Sequence, residues 1–274
     1  MFGITFCIFG KPFVLTEFNY CAPGRFRALG NLALGSMAAL QDWSGLWRFT
    51  YGHDSIQIAD PSKSAHVGSF NGANDPMSIA ADKAMFALFL RGDLRPLKGK
   101  AAIRLVSPAR SPLPFVAYKK LSWDWLSWYL RTGTYIGEKT PENVLPLGDD
   151  TSVLQSSSEA LRKRLFPDWT TEDRIPLAGD GAVRIDPTRG AIALSTPCCA
   201  GGFTAHGDIR TDSLRAKISG GPAGVWALSL DGQPLAKSSR LLVVHATDAQ
   251  NTDARFTNES MRVLSNWGHL PMLM

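Results

Sequence analysis

The spacing of apolar positions divides the chain into three textures. In residues 1–93 short apolar runs alternate with helical periodicity. The run Phe13-Val14-Leu15-Thr16 reads as a buried strand, opened by Pro12 and closed by the carboxylate of Glu17. Beyond the turn Cys21-Ala22-Pro23-Gly24, the residues Phe26, Leu29, Leu32, Ala33, Met37 and Leu40 recur at steps of three and four. That period predicts a helix over 25–41 with one apolar face. A second strand is expected over 46–51. A strand, a helix and a strand joined in this way predict a right-handed βαβ unit with a parallel pair. Because parallel strands share their C-terminal edge, Glu17, Tyr51 and His53 should lie on one rim.

A polar loop over 54–74, containing Pro61 and His66, is expected to leave that rim. Asp75-Pro76 then starts a helix, with aspartate as N-cap and proline at the first position. That helix should end at Gly92 and, being apolar nearly all round, should be buried on both sides. Arg91-Gly92-Asp93 is thereby explained as a helix end.

Residues 94–181 form a mixed linking segment. A strand is expected over 100–106 and a tryptophan-rich helix over 121–130, containing Trp123, Trp125 and Trp128. Packing between domains is the plain reading of those tryptophans, and sugar stacking the sharper one. Ser156 and Glu159 form a capping box for a helix reaching Leu165. From residue 182 to 274 only short strands and turns are expected: 183–186, 191–195, 202–206, 214–219, 225–230, 240–247 and 261–264. Asp231-Gly232 is read as a tight hairpin turn. Strands at this spacing suggest a β-sandwich.

Composition narrows the function classes. Hydrophobic residues are 45% of the 274, enough for a sizeable core. The net charge of +5 comes from scattered basic residues, with Arg162-Lys163-Arg164 the one short run, so a nucleic-acid partner is not expected. No apolar stretch reaches the length of about 20 residues that a membrane helix needs, so no membrane partner is expected either. Cys7, Cys21, Cys198 and Cys199 form no CxxC pair and are expected as free thiols. No metal or other cofactor is called for.

The motifs Thr16-Glu17-Phe18-Asn19-Tyr20 and Trp47-x-Phe49-x-Tyr51-x-His53 together resemble the last two βα units of a clan-A retaining glycoside hydrolase. The resemblance implies an α/β plus β fold: part of a (β/α)8 barrel followed by an accessory β-sandwich. It implies that Glu17 is the nucleophile, that Trp47 stacks on the sugar, and that Asn19, Tyr20, Tyr51 and His53 bind substrate. The partner would be a carbohydrate. A retaining enzyme also needs an acid/base carboxylate about 5–5.5 Å from the nucleophile. The family's Asn-Glu pair has no counterpart here, because Asn258-Glu259 falls among the late strands. The chain therefore reads as a fragment of such an enzyme with little or no turnover alone, and an unpaired barrel edge would favour self-association. Two alternatives stand beside this reading. Glu17 could be a structural carboxylate paired with an arginine such as Arg48. The β-rich half could instead be a non-catalytic carbohydrate-binding or interaction module.

Overall fold

A computed structural model describes residues 7–53, 68, 70–105, 124–149, 158–170, 175–258 and 263–273. The expected rim loop at 54–67, Trp123, the Ser156 cap and the start of the 261–264 strand lie outside these residues. The chain divides into two compact units built from separated stretches. The first comprises Met1–Val14, Met37–Gly45 and Leu94–Asp186; the second comprises Leu15–Ser36, Leu46–Asp93 and Pro187–Met274.

Among the described residues strand accounts for 33% and helix for 20%, in three helices, and most of the sheets are small and antiparallel. This overturns the expected partial barrel followed by a sandwich. β1 (Val14–Phe18) and β2 (Gly45–Arg48) do pair, but as an isolated two-stranded sheet. A barrel requires every strand to be bonded on both edges. The next strand along the chain, β3 (Lys100–Leu105), pairs instead with β4 (Arg131–Ile136) and β5 (Val144–Asp149).

In the first unit β3 is the central strand of that three-stranded sheet, parallel to both neighbours. Ala101, Ile103, Leu126, Leu147 and Leu161 form its buried core. The tryptophan-rich segment is a short 3-10 helix, Asp124–Trp128, rather than the expected helix. Trp125 packs on Tyr129, Phe166 and Trp169 at ring separations of 6.3, 6.1 and 5.7 Å. That ring therefore serves packing inside its own unit. Gln41 ties this segment to β4. Its Nε2 donates to the carbonyls of Ser127 (2.6 Å) and Leu130 (2.8 Å), and its Oε1 accepts from the Thr132 N–H at 2.8 Å. The third helix, Ser158–Leu165, and β6 (Val183–Asp186) also lie in this unit.

The helix α1 (Arg27–Leu40), whose residues up to Ser36 belong to the second unit and the rest to the first, is buried nearly all round, not on one face. Its polar residues Arg27, Asn31 and Ser36 are buried too. Periodicity does not show this because these polar side chains find buried partners: Ser36 donates to the Leu32 carbonyl at 2.7 Å, and the Asn31 Nδ2 to Asp82 at 2.6 Å. Helix α2 (Pro76–Met85) starts as expected, with Asp75 accepting from the Met77 N–H at 3.1 Å. It runs on as a π-helical turn, Phe86–Leu90, and Gly92 follows at φ +75°. The expectation of burial on both sides fails, since Ile79, Lys83, Phe86 and Leu90 form an exposed stripe.

The late strands β7 (Ala191–Ser195), β8 (Cys199–Thr204), β11 (Ala223–Ser229) and β12 (Leu241–Ala246) lie side by side and antiparallel. Two-residue strands β9 (Ile209–Arg210) and β10 (Arg215–Ala216) make a small ribbon. β13 (Gln250–Thr252) pairs with β16 (His269–Leu273), and β14 (Arg255–Phe256) with β15 (Leu264–Asn266). These are separate ribbons around one larger sheet, not two facing sheets. Gly201 and Gly202 let β8 approach its neighbours: a Cβ at Gly202 would lie 2.0 Å from the Ile192 carbonyl oxygen. Asp231-Gly232 is not a tight turn. The Leu230 N–H bonds to the Arg240 carbonyl at 2.8 Å, and residues 231–239 loop out between them.

Candidate functional site

The local order of the chain builds one exposed face from the β1/β2 pair. The Ser44 N–H donates to the Phe13 carbonyl at 2.8 Å, and the Phe49 N–H to the Phe18 carbonyl at 2.9 Å. Both bonds advance along the two strands in the same sense, with one offset, so the pair is parallel. That offset sets Glu17 level with Trp47 on the neighbouring strand. Leu15 and Phe18 of β1 are buried, while Thr16 and Glu17 are exposed. Apolar residues thus hold the ribbon down, and the Glu17 carboxylate stands in solvent.

The other predicted residues cluster where these strands end. Trp47 is 66% exposed, Phe49 40% and Tyr51 65%, an open aromatic row at a step of two. Asn19 donates its Nδ2 to the Phe49 carbonyl at 2.7 Å and so closes the end of the ribbon. The His53 ring lies edge-on to Phe49 at 5.4 Å, and its Nδ1 is 2.9 Å from the Asn71 Oδ1. Phe70 completes this ring cluster, 5.7 Å from Phe49. Backbone bonds hold the 70–73 segment alongside: the Thr50 N–H donates to the Phe70 carbonyl at 3.1 Å and the Ala73 N–H to the Tyr51 carbonyl at 2.8 Å.

Tyr20 plays a different part. Its ring lies on Gly30 of α1, where a Cβ would come 2.0 Å from the Tyr20 Cγ. Burial pushes its hydroxyl pKa up. Tyr20 therefore packs on the helix while remaining 44% exposed.

Charge pairs lie beneath the ribbon. Arg48 is paired with Asp82, whose other oxygen accepts from Asn31. That pairing takes up the arginine considered as a structural partner for Glu17. Burial raises the pKa of Asp82, against the opposing pull of Arg48. Deeper still, Arg27 and Asp75 form a buried pair at 2.7 Å.

The described groups are thus one exposed carboxylate on β1, the exposed Trp47 on β2, and, beyond the end of β2, the Phe49, His53, Phe70 and Asn71 cluster. Such a set can stack on the apolar face of a ring and bond to hydroxyls. Among the described residues no group of His, Cys, Asp or Glu could hold a metal ion. The sequence reading did not single out Phe49, Phe70 and Asn71 as site residues. Phe49 was legible in the Trp-x-Phe-x-Tyr step, whereas Phe70 and Asn71 reach the cluster only through the pairing of 70–73 with 50–51. Cys7, Cys21, Cys198 and Cys199 are free thiols. Burial pushes the pKa of Cys199 up to about 12, which leaves it inert as a nucleophile. No helix among the described residues is long and apolar enough to cross a membrane.

The chain matches no known protein family, no curated protein and no solved structure.

Proposed function

We propose that the Glu17–Trp47 face binds carbohydrate, and that Glu17 is the nucleophilic carboxylate of a retaining glycosidase site. The acid/base carboxylate of that site is not encoded in this chain. The reading is carried by one observation: Glu17 and Trp47 stand level on adjacent parallel strands, both open to solvent, with Asn19, Tyr51 and His53 following at the strand ends. An aromatic face suits the C–H face of a pyranose, and a carboxylate beside it suits nucleophilic attack on an anomeric carbon. With one carboxylate the double displacement lacks the proton donor for its leaving group, so binding without turnover is the expected behaviour.

A second reading, a non-catalytic binding module, draws on the period-two row Trp47, Phe49 and Tyr51, whose exposure suits recognition alone.

One experiment separates the two. The full chain is titrated with cello-, xylo- and galacto-oligosaccharides by calorimetry and assayed on aryl glycosides. The expected result is saturable binding to one series, weakened about tenfold by Trp47→Ala, as for an aromatic anchor, and also weakened by Glu17→Gln, with no turnover. Binding lost in Trp47→Ala but untouched by Glu17→Gln would favour the non-catalytic module. Absence of saturable binding to every series overturns both readings. Turnover abolished by Glu17→Gln would show that the acid/base is present in this chain after all.

A further inference from the structure

A second site lies elsewhere in the same unit. A cleft of about 340 Å³ is lined by Arg25, Lys217, Ser219, His245, Thr247 and Asp248, among others. That volume is in the range of small-molecule sites. Its residues come from the turn before α1, the segment after β10, and the end of β12 with the turn that follows.

The charges are arranged for an anion. Asp248 is committed inward: its Oδ1 is 3.3 Å from the Arg27 guanidinium, accepts from the Ala249 N–H at 2.9 Å, and lies 3.0 Å from the Gln250 amide. Arg27 and Asp75 neutralise one another in the interior. Arg25 faces Asp248 at 3.8 Å, too far for a hydrogen bond, and its Nε has no hydrogen-bond partner among the described residues. That Nε is itself buried, and the other end of the guanidinium reaches the cleft wall, where its Nη2 would lie 4.0 Å from a Cβ at Gly221. No carboxylate pairs with Lys217 among the described residues. Of Arg25, Arg27 and Lys217 against Asp75 and Asp248, one positive charge is left over.

We propose that this cleft is an oxyanion site that takes the phosphate monoester of a small polar molecule. The donor set decides for phosphate over carboxylate. A guanidinium fork suits either group. The lysine ammonium, the Ser219 and Thr247 hydroxyls and the His245 ring together offer more donors than the two oxygens of a carboxylate can use, and the three terminal oxygens of a phosphate monoester accommodate them. Asp248 keeps the site from being uniformly basic, and it can accept from a ligand hydroxyl beside the phosphate.

The test is calorimetry on the full chain with phenyl phosphate, inorganic phosphate and benzoate at constant ionic strength. Phenyl phosphate is expected to bind saturably, and more tightly than benzoate. Affinity should fall about tenfold in Arg25→Met and somewhat less in Lys217→Met, the loss of one charge-assisted contact each. Lys217 is exposed, so its variant tests the site even if Arg25→Met disturbs the turn before α1. Inorganic phosphate binding as tightly as the ester would confine the site to the free ion and overturn the ester assignment. Equal binding of benzoate overturns the choice of phosphate. Absence of saturable binding, or affinity unchanged in both variants, overturns the site. Trp47→Ala should leave phosphate binding unchanged, so failure here and failure of the carbohydrate reading are separately visible.

Discussion

Arg27→Met should be the most damaging single change in the second unit. Arg27 is 2% exposed and its partner Asp75 1%. Its Nη1 lies 2.7 Å from Asp75, its Nε donates to the Gly24 carbonyl at 2.9 Å, and its Nη2 donates to the Ala249 carbonyl. One side chain therefore joins the turn before α1, the cap of α2 and the segment leading into β13. Methionine fills most of the volume but carries no charge and no donor. Asp75 would keep the Met77 N–H and the Ser78 hydroxyl, bonded at 3.1 and 2.8 Å, yet lose its counter-charge. Breaking a buried pair by removing one partner costs about 3–5 kcal/mol. Against a total stability of roughly 5–15 kcal/mol, that is a large share. Urea unfolding followed by far-UV circular dichroism measures the loss, and hydrogen exchange at the α2 amides localises it. Adding Asp75→Asn to Arg27→Met should recover part of the loss, because asparagine still caps α2 and no longer buries a charge. A loss below about 1 kcal/mol, the size of an exposed pair, or a double variant whose loss is the sum of the two single losses, would refute the reasoning.

Two further outcomes follow from single side chains. Gln41→Leu removes a buried amide that satisfies the Ser127 and Leu130 carbonyls and the Thr132 N–H. Stranding those groups should cost about 2–3 kcal/mol in urea unfolding of the first unit, and a near-neutral result would mean that water replaces the amide. Asp231 is held below the ordinary carboxylate range, first by the Ser238 hydroxyl and then by Ser229 and the N–H groups of Gln233 and Ser239. A lowered folded pKa gives stabilisation that is present above the unfolded value of about 3.9 and lost only as pH falls through the lower folded value. A carbon-13 titration of the carboxyls should therefore find Asp231 ionised after the exposed aspartates have protonated. A midpoint near 4 would show that the 231–239 loop is not organised by this carboxylate.

Local signals carried the elements that rest on local chemistry. The strands 183–186 and 191–195 stand where alternation and the intervening turn residues put them. α2 begins at the Asp75-Pro76 cap because the side chain satisfies an otherwise free helix N–H. α1 lies within about two residues of its periodic pattern, as boundaries usually do. The expected strand 202–206 stands at 199–204, because Cys198-Cys199-Ala200-Gly201 carries no strand alternation. The role of Gly201 and Gly202 appears only once β7 and β11 close in on either side, leaving no room for a Cβ.

The sequence by itself therefore determined the strands 183–186 and 191–195, the start of α2 at the Asp75 cap and, within about two residues, the extent of α1, and it put Glu17 and Trp47 on neighbouring strands. Spacing, caps and turn residues act over a few positions, and those forces are written along the chain. Tertiary structure alone decided that β1 and β2 stay an isolated pair, that β3 joins β4 and β5, and that Arg27 is buried against Asp75. It alone brought Arg25 beside Lys217, His245 and Asp248. Strand partnership depends on which edges remain unpaired after the rest has packed. The burial of a charge depends on a counter-charge nearly 50 residues away along the chain, and no local period records either.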